Sequence, residues 1–233
     1  MKPIILLLTF LASSLSFSQS LAGAWQKVDD SKFKTVKLYS SHYFTSATYD
    51  ESDGEFIKAS AGTYTRNDFD YIENIETHSE STSLAGTFIN FNYESQQDTL
   101  KIFDKNSKIQ ETWVKIDEAK KENVTCYRIH QAFRNSSWQT IDYKPRKTLK
   151  MLTDNYYQVI AINSQTGEFF GSSGGKWTSL DNKHQEQIEF FSKNQSMTGI
   201  TLEFSKNIEG DIWHHDGKSS KGEYIQERWI KYK

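Results

Sequence analysis

The chain of 233 residues has one cysteine and two prolines. A single thiol, Cys126, permits no intramolecular disulfide. Nothing in its sequence neighbourhood supplies the histidine and oxyanion donors a nucleophilic thiol needs, so it reads as a buried structural residue. Scarce proline together with 14% aromatic residues argues for strands and against disorder. An excess of one charge is also missing. Lys and Arg number 28 against 30 Asp and Glu, interspersed and without a basic stripe, which excludes a nucleic-acid partner from the expectations. No Ser-His-Asp order, phosphate loop or dinucleotide fingerprint occurs in a suitable context, and no cofactor is implied. Glu73 and Glu76 have opposite parity on a strand, so they do not flank one glycosidic bond from a common face.

Long hydrophobic runs are absent too. The apolar stretch Ile4 to Phe10 follows Lys2 and is too short to remain in a bilayer. Ser16-Phe17-Ser18 then places small residues at the two positions a signal peptidase reads. Residues 1–18 are expected to be a secretory signal peptide. The mature protein is expected to be periplasmic or secreted, with no integral membrane segment after signal removal.

The strongest feature present is an internal repeat. Shifting the sequence by 113 residues lays Trp25 on Trp138 and gives 22 identities over 80 ungapped positions. Lys34, Thr35 and Lys37 meet Lys147, Thr148 and Lys150; Gly54-Glu55-Phe56 meets Gly167-Glu168-Phe169; Glu73, Ile75 and Glu76 meet Glu186, Ile188 and Glu189. After a short insertion Glu111 and Trp113 meet Glu227 and Trp229. The period is far longer than a solenoid coil, so each copy reads as a domain. Domain 1 is predicted over 19–116, a linker over 117–134, and domain 2 over 135–233.

Turn signals such as Asp50 to Gly54 and Asn163 to Gly167 divide each copy into about eight short strands. In the first copy they are predicted near 23–29, 34–40, 42–50, 55–67, 69–78, 86–95, 98–104 and 108–116. Short links between successive strands make an antiparallel meander, and eight strands can close and so remove their edges. The fold class is therefore all-β, two tandem antiparallel up-and-down barrels, with a sandwich as the competing architecture.

Alternation assigns faces. Phe69, Tyr71, Glu73 and Ile75 share one face, as do Asn182, His184, Glu186 and Ile188. Leu100 and Ile102 match Trp213 and His215, so His215 faces inward and His214 faces water. Each interior then holds one carboxylate, Glu73 or Glu186. Such a group must be hydrogen-bonded or paired, tied to a Lys, Arg or Tyr or held as a polar anchor for a ligand. Arg228 is the candidate partner in the second copy. The glycines from Gly171 to Gly175 lie between strands and predict a bulge or sharp bend.

Gly23-Ala24-Trp25 resembles the G-x-W signature of the lipocalins and the wider calycin superfamily; the second copy keeps only the Trp, in Ser136-Ser137-Trp138. Thr153 to Tyr157, Gly167 to Trp177, Glu186 to Phe190 and Glu227-Arg228-Trp229 resemble the small lipocalin-like domains of exported bacterial proteins. That resemblance implies an up-and-down barrel around a pocket for a small apolar or amphipathic molecule, and a binding role more than catalysis. The residues proposed to line it are Tyr43, Glu73, Tyr156, Trp177, His184, Glu186, Trp213, His215 and Arg228, aromatics supplying apolar wall and the rest polar anchors. Two alternatives stand beside this reading. His184 and Glu186, joined by His215, have the donor types for a zinc or iron site in the second barrel. The duplicated domains could instead bind an envelope protein.

Overall fold

The computed structural model describes residues 20–67, 70–104, 110–118, 120 and 124–232. The proposed signal peptide and Phe69 lie outside them. The first eight strands are β1 (Gly23–Val28), β2 (Phe33–Tyr39), β3 (Tyr43–Asp50), β4 (Phe56–Arg66), β5 (Asp70–His78), β6 (Phe88–Gln96), β7 (Thr99–Asp104) and β8 (Gln110–Lys115). They pair in sequence order, all antiparallel, and β1 pairs with β8 to close a barrel. Each boundary falls close to the position read from turn residues and alternation.

The second half contains β9 (Thr125–Arg134), β10 (Ser137–Thr140), β11 (Arg146–Leu152), β12 (Tyr156–Asn163), β13 (Phe169–Leu180), β14 (Lys183–Phe191), β15 (Thr201–Ser205), β16 (Asn207–Glu209), β17 (Ile212–Lys218) and β18 (Tyr224–Lys231). Eight of these close a second ring through β9, β11 to β15, β17 and β18, with β18 returning to β9. β10 and β16 are side strands. The expected bulges occur, with register shifts at Ala161/Ile162 and Gly174/Gly175.

The second barrel opens inside the stretch read as a linker. Its first strand is β9, and Tyr127 stands opposite Lys150 and Lys231, as Trp25 stands opposite Lys37 and Lys115. Tyr127 therefore occupies the place of Trp25. Trp138 lies on the added β9–β10 hairpin, paired with Phe133, so the sequence match at that tryptophan is not a structural one.

Each barrel has a private interior. Trp25, Tyr39, Phe44, Tyr64 and Tyr71 pack one end of the first with Leu100, Ile102 and Trp113. Tyr127, Leu152, Tyr157, Trp177, Trp213 and Trp229 do so in the second. A third apolar core lies between the barrels. β2 and β3 turn Val36, Leu38, Tyr43, Ala47 and Tyr49 outward, against Leu149, Met151, Tyr156, Ile160 and Ile162 from β11 and β12. These strands are apolar on both faces because both faces are covered.

The contact between barrels follows the repeat. Phe56 and Phe169, equivalent residues, stack on one another with centroids 5.7 Å apart and planes 3° apart. Lys34 bonds Glu189 at 3.2 Å, and reciprocally Lys147 bonds Glu76. Gly54 and Gly167, both at positive φ, approach so closely that an added Cβ would lie 2.1 Å from Thr198 or Ala85 of the other barrel. Residue i meeting j while the equivalent of j meets that of i is the signature of an isologous, two-fold interface, here built within one chain.

Candidate functional site

The strand that carries the inner carboxylate also sets its depth. In β5 Tyr71 points into the aromatic plug, Glu73 sits one layer above, and His78 reaches the open end. β2 lies across the barrel and fills the same layers, with Tyr39 in the plug, Lys37 above it and Thr35 above that. Lys37 therefore meets Glu73 across the barrel, at 2.5 Å. The Tyr71 hydroxyl also donates to Glu73, and the Tyr39 and Tyr71 hydroxyls are 2.9 Å apart. The ammonium lies 5.0 Å from the Phe44 ring and 5.3 Å from Trp113. Burial alone would lower its pKa, but the Glu73 carboxylate more than offsets this and holds Lys37 protonated, above the ordinary lysine value.

The second barrel repeats the layer with different neighbours. Lys150 donates to Glu186 at 2.6 Å. His184 takes the place of Tyr71, with Nε2 2.9 Å from the same carboxylate oxygen. His215 takes the place of Ile102, with Nε2 3.0 Å from the Lys150 ammonium. Burial would raise the Glu186 carboxyl; the Lys150 charge and the His184 hydrogen bond outweigh it and hold it well below the usual carboxylate range. Burial lowers His184. Burial and the facing Lys150 charge push His215 further down. Both imidazoles are thus neutral at pH 7, and the layer contains one cation and one anion.

Tautomers follow from the donors. Glu186 accepts from His184, so the His184 proton is on Nε2. Lys150 can only donate, so His215 Nε2 accepts and its proton is on Nδ1. That Nδ1–H is buried and has no hydrogen-bond partner on another residue. The nearest carboxylate oxygen, on Glu227, is 3.8 Å away, beyond hydrogen-bond reach.

Above each charged layer the barrel is hollow. The first cavity is about 430 Å³, with Lys37 and Trp113 at its floor, Thr35 and Thr48 in its wall and Phe33 and Lys58 among the residues around it. The second is about 410 Å³, with Lys150, Glu186 and His215 among its lining and Arg134 and Arg146 also contributing. The cavities occupy equivalent places, so the repeat extends to the site.

The proposed lining residues separate into three groups. Glu73, Trp177, His184, Glu186, Trp213 and His215 are inside their barrels, with Trp177 and Trp213 belonging to the packed end. Tyr43 and Tyr156 are not inside. Phe44 and Tyr157 take the inner face, which turns their neighbours Tyr43 and Tyr156 into the core between the barrels. Tyr43 donates to Glu76 there. Arg228 does not reach Glu186. It lies outside the ring, donating to Gln131 at 2.9 Å with its guanidinium 4.0 Å from the Trp138 ring. The carboxylate partners missed from the sequence are Lys37 and Lys150. Their parity with Tyr39 and Leu152 and their match in the repeat were the available signals.

The His184, Glu186 and His215 set is close-packed, but an ammonium stands in its midst. Glu186 Oε1 and His215 Nε2 both face Lys150 Nζ, and His184 Nε2 carries a proton toward Glu186. Among the described residues no group of three metal-ligating side chains converges. No helix among the described residues is long and apolar enough to cross a membrane. Neither a protein-family model, nor a curated protein, nor a solved structure matches this chain.

Proposed function

We propose that this is an exported, non-catalytic binding protein of lipocalin-like type that holds a small amphipathic molecule in the hollow half of a barrel. One observation carries the reading: each barrel is plugged by aromatics at one end and open at the other, over a buried Lys–Glu pair. A barrel used only as a scaffold has no need of hollow volume above a desolvated charge pair. Ligand pockets combine apolar wall with fixed polar groups; here the first cavity is lined mainly by polar side chains and the second by a mixture of polar and apolar ones. The charged floor and polar walls favour an amphipathic ligand over a wholly apolar one. The sequence of residues 1–18 supports export.

The test is native mass spectrometry of the full chain purified from its own envelope fraction. A co-purifying small molecule is expected. Its loss from the cavity-filling variants Thr35→Trp or Thr148→Trp, with near-UV circular dichroism unchanged, would place it in a barrel. If the protein carries no small molecule, and Trp113 and Trp229 fluorescence does not respond to fatty acids, retinoids or haem, the reading fails.

A further inference from the structure

The two cavities differ in three ways, all at the second barrel. First, two arginines at its mouth make no ion pair, although Arg134 attracts the Glu227 carboxylate of the same lining from beyond ion-pair distance and Arg146 lies 4.9 Å from the Phe170 ring. Arg134 and Arg146 line the second cavity, and no carboxylate among the described residues lies within ion-pair distance of either. In the first barrel Lys27 at the mouth is held by Glu111 at 2.8 Å, and no arginine lines the cavity. Second, the buried His215 Nδ1–H has no acceptor on another residue; Ile102 stands at that position in the first barrel. Third, the second ring is open at the side. β6 and β7 share six register pairs, whereas β15 and β17 share only Phe204 with Gly217. Here the strand equivalent to β6 breaks after Ser205, and its remainder, β16, forms a hairpin with β17 instead.

That break leaves an apolar groove of about 830 Å³, with Met197, Ile200, Leu202 and Tyr224 among its walls. Phe204, Ser219 and Ser220 line both groove and cavity. The groove and the charged cavity therefore adjoin across these residues, with Arg134, Arg146 and Glu227 on one side and aliphatic surface on the other. An exposed apolar patch beside exposed cationic donors that make no ion pair is complementary to one kind of molecule.

We propose that the second barrel alone takes a single-chain amphipath with an anionic head. The head oxygens lie between Arg134 and Arg146 and accept from His215 Nδ1–H, and the chain leaves through the slit between β15 and β17. Arginine suits the head because its planar fork donates two parallel bonds to a carboxylate or phosphate. The inference rests on the binding reading above and narrows it to one barrel, one head charge and one exit.

The experiment is calorimetric titration of the full chain with dodecanoate, hexanoate, dodecyltrimethylammonium and 1-dodecanol. One dodecanoate per chain is expected, bound at least tenfold more tightly than the cationic or neutral C12 compound. The double variant R134Q/R146Q, changed at two exposed positions, is expected to lose at least tenfold in dodecanoate affinity and none for dodecanol. Ile200→Glu in the groove is expected to abolish the advantage of dodecanoate over hexanoate. Two equivalents per chain would overturn the assignment to the second barrel. Equal binding of all three C12 heads, unaffected by R134Q/R146Q, would overturn the anionic head and leave the binding reading intact. Absence of binding by every compound would remove both.

Discussion

Lys150→Met isolates what the charged layer contributes. In the native barrel the side chains of Lys150 and Glu186 are 3% and 5% exposed. Removing the ammonium strands a carboxylate that retains only the His184 donor. Breaking a buried pair from one side costs about 3–5 kcal/mol; the remaining His184 bond places this case near about 3 kcal/mol. That is a large share of the roughly 5–15 kcal/mol that holds a domain together. The double variant Lys150→Met/Glu186→Leu removes both charges and is expected to recover most of the loss, since replacing a buried pair by apolar groups is often neutral.

The pH dependence is a sharper test. In the native protein the Glu186 carboxyl is depressed, so its stabilisation is present above the unfolded value of about 4.3 and is lost as pH falls below it. Without Lys150, burial alone would raise that carboxyl, and the variant would lose stability as pH rises through the same value. The penalty of Lys150→Met should therefore be smaller at pH 4 than at pH 7. Guanidinium unfolding followed by tryptophan fluorescence, with Trp177, Trp213 and Trp229 reporting on the second barrel, measures it. A penalty below about 1 kcal/mol, or one independent of pH, would refute the role given to the pair, because a desolvated, unpaired carboxylate must cost more than that.

Other outcomes follow from the same packing. Tyr157→Phe removes a hydroxyl that is buried without a partner; it is expected to be neutral or to stabilise by up to about 1 kcal/mol in denaturant, whereas Tyr71→Phe deprives Glu73 of a donor and is expected to destabilise by about 1.5–3 kcal/mol. Glu76→Gln leaves the Lys147 ammonium without its carboxylate between the barrels and is expected to cost about 2–3 kcal/mol; Glu189→Gln should cost less in the same assay, because Lys34 keeps Glu51 at 3.1 Å. Cys126 is buried in the inter-barrel core and burial pushes its thiol up, so an aromatic disulfide reagent at pH 8 should modify it only as fast as the protein unfolds.

The sequence by itself determined the strands of the first barrel, the duplication and the inner carboxylates, because those properties are local. Turn residues end strands wherever they occur, and alternation assigns a side chain to one face or the other from its neighbours alone. Tyr71, Glu73 and Ile75 could be grouped, and His215 separated from His214, without knowing what lay across the barrel. Only the tertiary structure decided what met them. Lys37 reaches Glu73, and Lys150 reaches Glu186 and His215, because ring closure brings non-adjacent strands into one layer, and no local pattern encodes that registration.

The face that alternation calls outer is a second matter for tertiary structure. As aromatics Tyr43 and Tyr156 suit a pocket wall, yet the burial they find comes from the other barrel. Apolar residues at both parities of β2, β3, β11 and β12 carried that information, since two-sided burial needs two coverings. Tyr127 in the place of Trp25 makes the same point at the first strand. Side-chain identity can drift while the closing strand keeps its position, since hydrogen bonds to both neighbours fix the strand and the plug requires only a large aromatic.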